Sequence, residues 1–458
     1  MMKATRQSAV LLGGVAIGMM VLSLPSFAEV QNVKVGGDVT VRGVWRTHLD
    51  LNEDHDANDS NTFWMQATGL NIGADLTDNV SAFARIVNER DWNRTAGLEA
   101  GSDVDLSQAY LTLKELLYSP LMLRVGSQPL WFGRGFIVGS TLIPGAALGG
   151  LDPNAAISAD EFSDFTSFDA IRATLDLSGV SGLGVPLVAD LVYSKIDENA
   201  VGGSDDVQLT GVNLGTKFDS FNSEAEVYYW LKRDKGRAIA GDTNNGSVNT
   251  LGLRGSVQPV EGAYLFGELA YQFGRRGEDA TGVLASGDSQ QAWATDFGIE
   301  YTFANVPTTP KLGWEWIYWS GKDVDGAVSG WDPMFRGSFT TALREFQATG
   351  LYPTDQAGDT NSPTNQHQLA WYGSLKPIQD LTVSPRFTLF VLDRGAIPVA
   401  GSKRRNYAGF EWDTQVLYNY TEDVQFGVIY ALFAPGSVYR HPVDDTSQEL
   451  ITTVGVKF

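Results

Sequence analysis

The chain has 458 residues, 54 of them acidic and 33 basic, so its formal net charge is −21 at pH 7. This acidity disfavours nucleic acid as a partner, and the absence of cysteine excludes disulfides and thiolate metal sites. The length exceeds one ordinary globular domain, although a large β-barrel reaches it as a single domain.

Residues 1–28 have the features of a secretory signal peptide. Lys3 and Arg6 precede an apolar run from Ala9 to Leu24, and the small residues Ser26 and Ala28 have the spacing that a signal peptidase reads. The run is shorter than the roughly 20 residues of a membrane-spanning helix. We therefore predict cleavage after Ala28, which leaves a mature chain of residues 29–458 beyond the inner membrane.

The rest of the sequence alternates apolar and polar residues with a period of two, which is typical of β-strands. In chain order, the alternating segments are VKVGGDVTVRGVW, TGLNIGADL, NVSAFARIV, SQAYLTLKELL, LMLRVGSQ, DAIRATLDL, PLVADLVYS, QLTGVNLGTKF, SEAEVYYWLKR, NTLGLRGSV, AYLFGELAYQF, ATDFGIEYTF, KLGWEWIYW, QHQLAWYGSL, LTVSPRFTLFVL, YAGFEWDTQVLY, VQFGVIYALF and ITTVGVKF. They predict about 18 strands.

The connections between these segments alternate between short and long. Short turns such as TDN, YSP and PVEG separate longer polar loops, of which residues 131–166 and 322–363 form the longest. Short periplasmic turns and long outer loops are typical of bacterial outer-membrane barrels. We predict an all-β fold, a transmembrane antiparallel β-barrel with both termini on the short-turn side.

A barrel in hydrocarbon has no open edge, because every backbone polar group must be paired within the protein. The final segment ELITTVGVKF is therefore predicted to pair with the first strand. One of its faces contains Leu450, Thr452, Val454, Val456 and Phe458. The terminal Phe458 is predicted to lie at the inner edge of the lipid band, and it resembles the targeting signal that the barrel-assembly machinery reads. The clusters Tyr228–Trp230, Trp314–Trp319 and Trp371–Tyr372 are placed as aromatic girdles require. Ordinary packing is the alternative, and some of these side chains are expected to face inward.

Charged residues within the strands predict the inward face, because a charge that faces lipid costs a few kcal/mol near the midplane. Such charges can set the selectivity of a pore, or they can form mutually satisfied salt bridges that hold the barrel round; both alternatives remain open. The candidate pore-lining or constriction residues are Arg85, Glu89, Arg124, Arg134, Arg172, Glu224, Glu226, Arg254, Glu268, Glu300, Glu315, Arg386 and Glu411.

The loop 131–166 is rich in glycine and aliphatic residues, and it has few charges before Asp160. Such an apolar loop is unfavourable in water. It either folds inward and narrows the pore, with Arg134 at the constriction, or packs as a lid on the outer rim. The loop 322–363 contains Trp331 and Phe335 as candidate packing anchors.

Sequence signals for cofactors are weak. Asp50, Asn52, Asp54 and Asp56 alternate like the start of a calcium loop, but the glycine and the final glutamate of an EF-hand are absent. Ca²⁺ that bridges acidic outer loops to lipopolysaccharide is one interpretation, and a solvated loop is the other. No nucleophile elbow and no phosphate-binding loop occurs, so we do not predict an enzyme.

The segments AYLTLKELLYSPLMLRVGSQPLWFGRGFIVGS and WEWIYWSGKD, with the later GWDPMFRG, resemble the alginate-export family of outer-membrane barrels. The resemblance covers most of the mature chain, and it implies a monomeric 18-stranded channel in the outer membrane of a Gram-negative-type bacterium. Alginate exporters pass an anionic polyuronate through an arginine-lined constriction. In this sequence, the resemblance implies that the constriction is lined by Arg85, Arg124, Arg134, Arg172 and Arg254.

This sequence departs from that pattern because it is far more acidic, and its predicted lumen has about as many carboxylates as arginines. Three functions therefore remain open. The barrel exports an anionic polysaccharide, it is a general or cation-preferring diffusion channel for hydrophilic solutes, or it is a plugged structural or adhesive barrel.

Overall fold

The structure is a computed structural model. The residues that it describes are 32–52, 60–92, 104–116, 120–142, 160–179, 182, 184–197, 207–234, 246–275, 289–321, 330–347, 364–396 and 403–458. The predicted signal peptide lies outside these residues, so its cleavage stays a prediction. In the ranges described, no helix has the length and apolar character needed to cross a membrane.

Eighteen strands form nearly all of the regular structure. In the described ranges, the helical segments are two 3₁₀ turns, Asp160–Phe162 and Ser220–Asn222, and one α-helical turn, α1, at Arg344–Gln347. The strands are β1 (Asn32–Thr47), β2 (Ser60–Thr77), β3 (Val80–Asp91), β4 (Asp105–Lys114), β5 (Leu121–Gln128), β6 (Phe168–Asp176), β7 (Leu187–Asp197), β8 (Val207–Phe218), β9 (Ser223–Asp234), β10 (Gly246–Val257), β11 (Ala263–Arg275), β12 (Ser289–Thr302), β13 (Lys311–Trp319), β14 (Gln366–Ile378), β15 (Leu381–Ala396), β16 (Arg405–Asn419), β17 (Val424–Pro435) and β18 (Ser447–Lys457).

Each strand pairs antiparallel with its sequence neighbours, and β18 pairs with β1, which closes the sheet into a barrel. The closing register runs from Asp38 opposite Lys457 to Thr47 opposite Gln448. Beyond the last strand, the amide of Phe458 donates to the carbonyl oxygen of Gly37 at 2.9 Å. The predicted strand number and the predicted closure by the C-terminal segment are both confirmed.

The strands alternate between an exposed apolar face and a buried face that is largely polar. On β10, Leu251 and Leu253 are 51% and 56% exposed, whereas Thr250 and Arg254, which flank this pair, are buried. The same alternation on β18 places Leu450 and Val454 outside, as predicted. Successive strand residues point to opposite sides of the sheet, so the exposed set is the outside of the barrel and the buried set lines its interior.

The connections also follow the predicted pattern. One end of the barrel has short turns such as 78–79, 379–380 and 420–423, and the other end has the long connections, including 129–167 and 320–365. The parts of these two longest connections that the structure describes do not extend away from the barrel. They pack against the inward faces of the strands.

Candidate functional site: a lumen crossed by two loops

The first described part of the predicted loop 131–166 is residues 131–142, here called the inward loop, and it folds into the barrel. Phe132 and Phe136 are buried, and their rings lie 4.8 Å from Trp230 and 5.9 Å from Trp319 between centroids. Both tryptophans are on the inward faces of their strands. Trp230 and Trp319 are therefore among the clustered aromatics that face inward, and they form the surface on which the loop packs.

A second segment, residues 330–347 and here called the strap, pairs with the inward loop inside the barrel. The amide of Gly139 donates to the carbonyl oxygen of Phe335 at 2.7 Å, and the amide of Gly337 donates to that of Gly135 at 2.9 Å. The predicted anchors Trp331 and Phe335 are both buried in this contact region.

The strap also reaches the opposite wall. Its first half packs in an apolar cluster formed by inward residues of β6 to β13, together with the inward loop. In its second half, Leu343 is fully buried in another cluster, with Phe390 of β15 and Phe433 of β17. Both clusters are on the inner face of the barrel, but they are formed by different groups of strands. The strap therefore crosses the lumen from one group to the other.

Two buried carboxylates hold the second half of the strap. Glu411 on β16 accepts hydrogen bonds from the backbone amides of Leu343 at 2.7 Å and Arg344 at 2.9 Å. Within the strap, Glu345 accepts from the Arg336 guanidinium at 2.6 Å and from the amide of Thr341 at 2.9 Å. Burial by itself raises the pKa of Glu345, but the charge of Arg336 and these hydrogen bonds outweigh it and lower the pKa below 4.5.

Arg134 of the inward loop bridges two strands of the wall. Its Nε donates to Asp296 on β12 at 3.2 Å, its Nη2 donates to Glu315 on β13 at 2.9 Å, and its guanidinium lies 3.7 Å from the centroid of the Phe266 ring. Glu315 also accepts from Arg386 on β15 at 2.7 Å. Burial lowers the pKa of Arg134, but the two carboxylates outweigh it and raise the pKa, so this side chain remains cationic.

The other arginines assigned to the lumen also have partners, most of them carboxylates. Arg254 pairs with Glu224 and, at 2.6 Å, with Glu226 on the neighbouring strand. Arg172 pairs with Asp190 at 2.8 Å. Arg85 donates to Asp38 and to Asp164, both at 2.7 Å.

Arg124 differs from these arginines. It donates to the hydroxyl of Thr112 at 3.4 Å and lies 4.7 Å from the Tyr110 ring centroid, and none of the ion pairs between described residues includes it. Its cation–π contact with a tyrosine is a weak one in an accessible position. Of the five arginines that the family resemblance assigned to polyanion binding, it alone has no described acidic partner.

The remaining candidate carboxylates accept hydrogen bonds from a backbone amide, from tyrosine hydroxyls or from one lysine. Glu89 accepts from the amide of Asp164 at 2.5 Å, and Glu268 accepts from the Tyr228 hydroxyl at 2.7 Å. Glu300 accepts from Lys311 at 3.2 Å and from the Tyr372 hydroxyl at 2.8 Å.

Sequence patterns did not identify two of the buried ion pairs. Arg46 on β1 lies 2.6 Å from Glu449 on β18, which joins the first and last strands, and Arg336 lies 2.6 Å from Glu345 within the strap. Alternation on β1 and β18 could have indicated the first pair. The strap has no repeating pattern of apolar and polar residues that could have indicated the pair of Arg336 and Glu345.

Open space remains beside the strap, against the wall from β13 to β18. It is a cavity of about 490 Å³, lined by charged, hydroxyl and aromatic side chains. Lys311, Arg386 and Asp413 supply charges, and Phe339 and Tyr372 supply rings. The lining can solvate a polar solute and contact its apolar edges.

The calcium prediction falls mostly outside the described residues, which include Asp50 and Asn52 but not Asp54 or Asp56. In the ranges that the structure covers, no group of three or more acidic or histidine side chains has the geometry of a metal site. The calcium prediction stays a prediction.

The chain matches no curated protein. Its backbone resembles the crystal structures of Pseudomonas aeruginosa OpdO, with 11% identity, a TM-score of 0.55, and 94% of this chain and 98% of that one covered. A BenF-like porin from Pseudomonas fluorescens Pf-5 aligns with 12% identity and a TM-score of 0.53, over 94% of this chain and 100% of that one. At these identities the likeness concerns the fold.

Residues 33–453 match the family described as Alginate export. The match extends over nearly the whole chain, from the first strand to the last. It agrees with the closed 18-stranded barrel, the apolar outer face and the charged interior. The chain is a member of the alginate-export family, an outer-membrane β-barrel channel for the passive passage of solutes.

Proposed function

We propose that this channel passes small hydrophilic solutes, that it prefers cations, and that it excludes an extended polyuronate. The observation that carries the proposal is the pairing of the lumen arginines. Arg85, Arg134, Arg172 and Arg254 each contact at least one carboxylate within 3.2 Å. A guanidinium that is already neutralised in this way attracts a passing carboxylate much less.

The balance of buried charge supports a preference for cations. Among the described residues, 11 aspartates and glutamates are buried, against four arginines. Four half-buried cations, Arg134, Arg172, Lys232 and Arg386, pair with buried carboxylates, so the negative excess is reduced but remains. A low-dielectric wall with excess negative charge concentrates cations and repels polyanions. This charge distribution is the opposite of an arginine-lined constriction.

The available space supports small solutes. The inward loop and the strap are joined by backbone hydrogen bonds across the lumen, and a cavity of about 490 Å³ remains beside them. That volume is in the range of sites for single small molecules. An extended polymer requires a continuous path past the strap.

The test is the current through the refolded mature protein in a planar bilayer with a KCl gradient. We expect a reversal potential whose sign shows selectivity for K⁺ over Cl⁻. We also expect that a polyuronate added to either side of the membrane does not block the current. An anion-selective current that a polyuronate blocks would contradict the proposal. A barrel that conducts no current would support the structural or adhesive alternative.

We further propose that the protein assembles as a monomer and that the barrel-assembly machinery recognises the strand that ends in Phe458. The hydrogen bonds between Phe458 and Gly37 support a role for this residue in closing the barrel. Assembly of a Phe458→Ala variant in cells, compared with an exposed Tyr420→Ala variant, tests the second proposal. Equal amounts of folded barrel from the two variants would contradict it.

A further inference from the structure

Two arginines lie side by side on the outer surface, at the long-loop end of the barrel. In the strand register, Ser247 on β10 is opposite Arg233 on β9 and opposite Arg275 on β11. Val248 beside Ser247 is buried in the interior, so Ser247 and its two partners face outward. Both arginines are exposed.

Their height places them above the hydrocarbon region. On β12, outward residues run from Tyr301 near the short-turn end, through Trp293, to Ser289 opposite Arg275. At about 3.4 Å per residue and a tilt of about 40°, Trp293 lies about 21 Å above Tyr301 along the membrane normal, and Ser289 about 31 Å. Because the apolar band of such barrels is about 25 Å tall, Arg275 lies near the level of the headgroups. Arg233 is the second-last residue of β9 and lies at the same long-loop end of the barrel.

An aromatic layer directly below the arginines marks the boundary. Tyr271 packs on Trp293, with ring centroids 4.4 Å apart, and Phe273 is 39% exposed between this pair and Arg275. Aromatic side chains are typical of the membrane interface. The order of apolar, aromatic and cationic residues along β11 therefore follows the order of hydrocarbon, interface and headgroup.

Within the described residues, the two cations have no acidic partner on this surface. No carboxylate among the described residues is within ion-pair distance of Arg233 or Arg275, although acidic residues outnumber basic ones in the chain. Strands in a sheet are about 4.8 Å apart, so the two backbone positions are separated by about 10 Å. Two guanidiniums at this spacing can together hold one phosphorylated headgroup.

We propose that Arg233 and Arg275, with the hydroxyl of Ser247 between them, form a binding site for the phosphorylated headgroup of lipopolysaccharide in the outer leaflet. Phosphate oxygens accept paired hydrogen bonds from a guanidinium, which gives these contacts both strength and orientation. The acyl chains of the same lipid then lie against the aromatic layer below. The site depends on the outer surface alone and not on what passes through the lumen.

The experiment measures binding of diphosphorylated lipid A, and of the same lipid after removal of its phosphates, to the folded mature barrel in detergent by native mass spectrometry. We expect the R233Q/R275Q variant to bind the diphosphorylated lipid about 30-fold more weakly than the wild type, since each cation near an anionic surface contributes about fivefold. The wild type should bind the dephosphorylated lipid as weakly as the variant binds the diphosphorylated lipid.

The matched control is K217Q/K376Q, which removes two exposed positive charges at the short-turn end and should bind like the wild type. Equal affinity of the wild type for the two lipids would overturn the proposal, and this comparison does not depend on whether the variant folds. Equal losses in R233Q/R275Q and in the control would also overturn it, because net charge and not position would then be responsible. Competition by millimolar inorganic phosphate would show a free-phosphate site and would overturn the assignment to lipid.

Discussion

Replacing Glu345 with glutamine should release the strap from its position across the lumen. The Glu345 side chain is fully buried, and it accepts from Arg336 at 2.6 Å and from the Gln368 amide at 3.0 Å. Glutamine keeps the shape but removes the charge, and leaves Arg336 buried without a counterion. Loss of one member of a buried ion pair costs about 3–5 kcal/mol. This shifts the equilibrium between the seated and displaced strap by at least about a hundredfold toward displacement.

The assay is single-channel recording of the refolded protein at neutral pH. We expect Glu345→Gln to show a larger mean conductance than the wild type, with more frequent transitions between levels, because the strap no longer stays seated. Glu261→Gln is the control, since Glu261 is an exposed carboxylate on the short turn after β10. It removes the same charge and should leave the conductance unchanged.

The pH dependence of the wild type gives a second measurement of the same contact. The pKa of Glu345 is lowered from 4.5 in the folded protein, so its charge stabilises the strap at pH values above 4.5. This stabilisation is lost as the pH falls through the lowered pKa. The wild type should therefore gain conductance in acid, and Glu345→Gln should lack this acid step. Wild-type conductance in Glu345→Gln at neutral pH would refute the reasoning, because the ion pair would then not hold the strap.

Three further predictions concern the inward loop and the strap. Arg134→Gln removes the cation between two buried carboxylates, so the K⁺ to Cl⁻ permeability ratio from reversal potentials should rise several-fold; an unchanged ratio would mean that ions do not pass near it. Trp331→Ala should destabilise the strap by about 3–5 kcal/mol, the usual cost of truncating a buried tryptophan, and protease cleavage within 330–347 should accelerate while the barrel itself stays resistant. Gly337→Val should separate the two loops, because a Cβ at this position would lie 2.6 Å from the backbone of Gly139; the matched Gly179→Val, on a short turn with open space, should behave like the wild type.

The wall of the barrel could be predicted from the sequence because its physics is local. Alternation with a period of two, short turns at one end and the need to pair every backbone group determine strand number, order and closure. The closing strand illustrates this, since the outward position of Leu450 and Val454 follows from parity alone. Charges such as Glu268 and Asp296 follow the same parity, and both are buried.

The interior of the barrel could be predicted only in part. The apolar composition of 131–142 indicated that this loop packs against something, but not that its partner is the strap, about 200 residues later in the chain. The bond between Gly139 and Phe335 is a long-range contact with no local signal. The sequence also did not show that Trp230 and Trp319 are the clustered tryptophans that face inward, because a tryptophan at the end of a strand suits either the interface or a packed interior.

Pairing within the lumen also changes how the arginines of this family member are to be interpreted. A row of unpaired guanidiniums attracts an anionic polymer along its length, whereas Arg134, held between Asp296 and Glu315, joins the inward loop to the wall. The same bridge continues to Arg386, which also borders the open cavity. Charges that position the loops thus also line the remaining path, so a substitution that weakens a loop contact changes selectivity at the same time. Selectivity and loop position are therefore properties of one ion-pair network. A substitution that changes only the selectivity, or only the loop position, is expected at a residue that does not belong to this network.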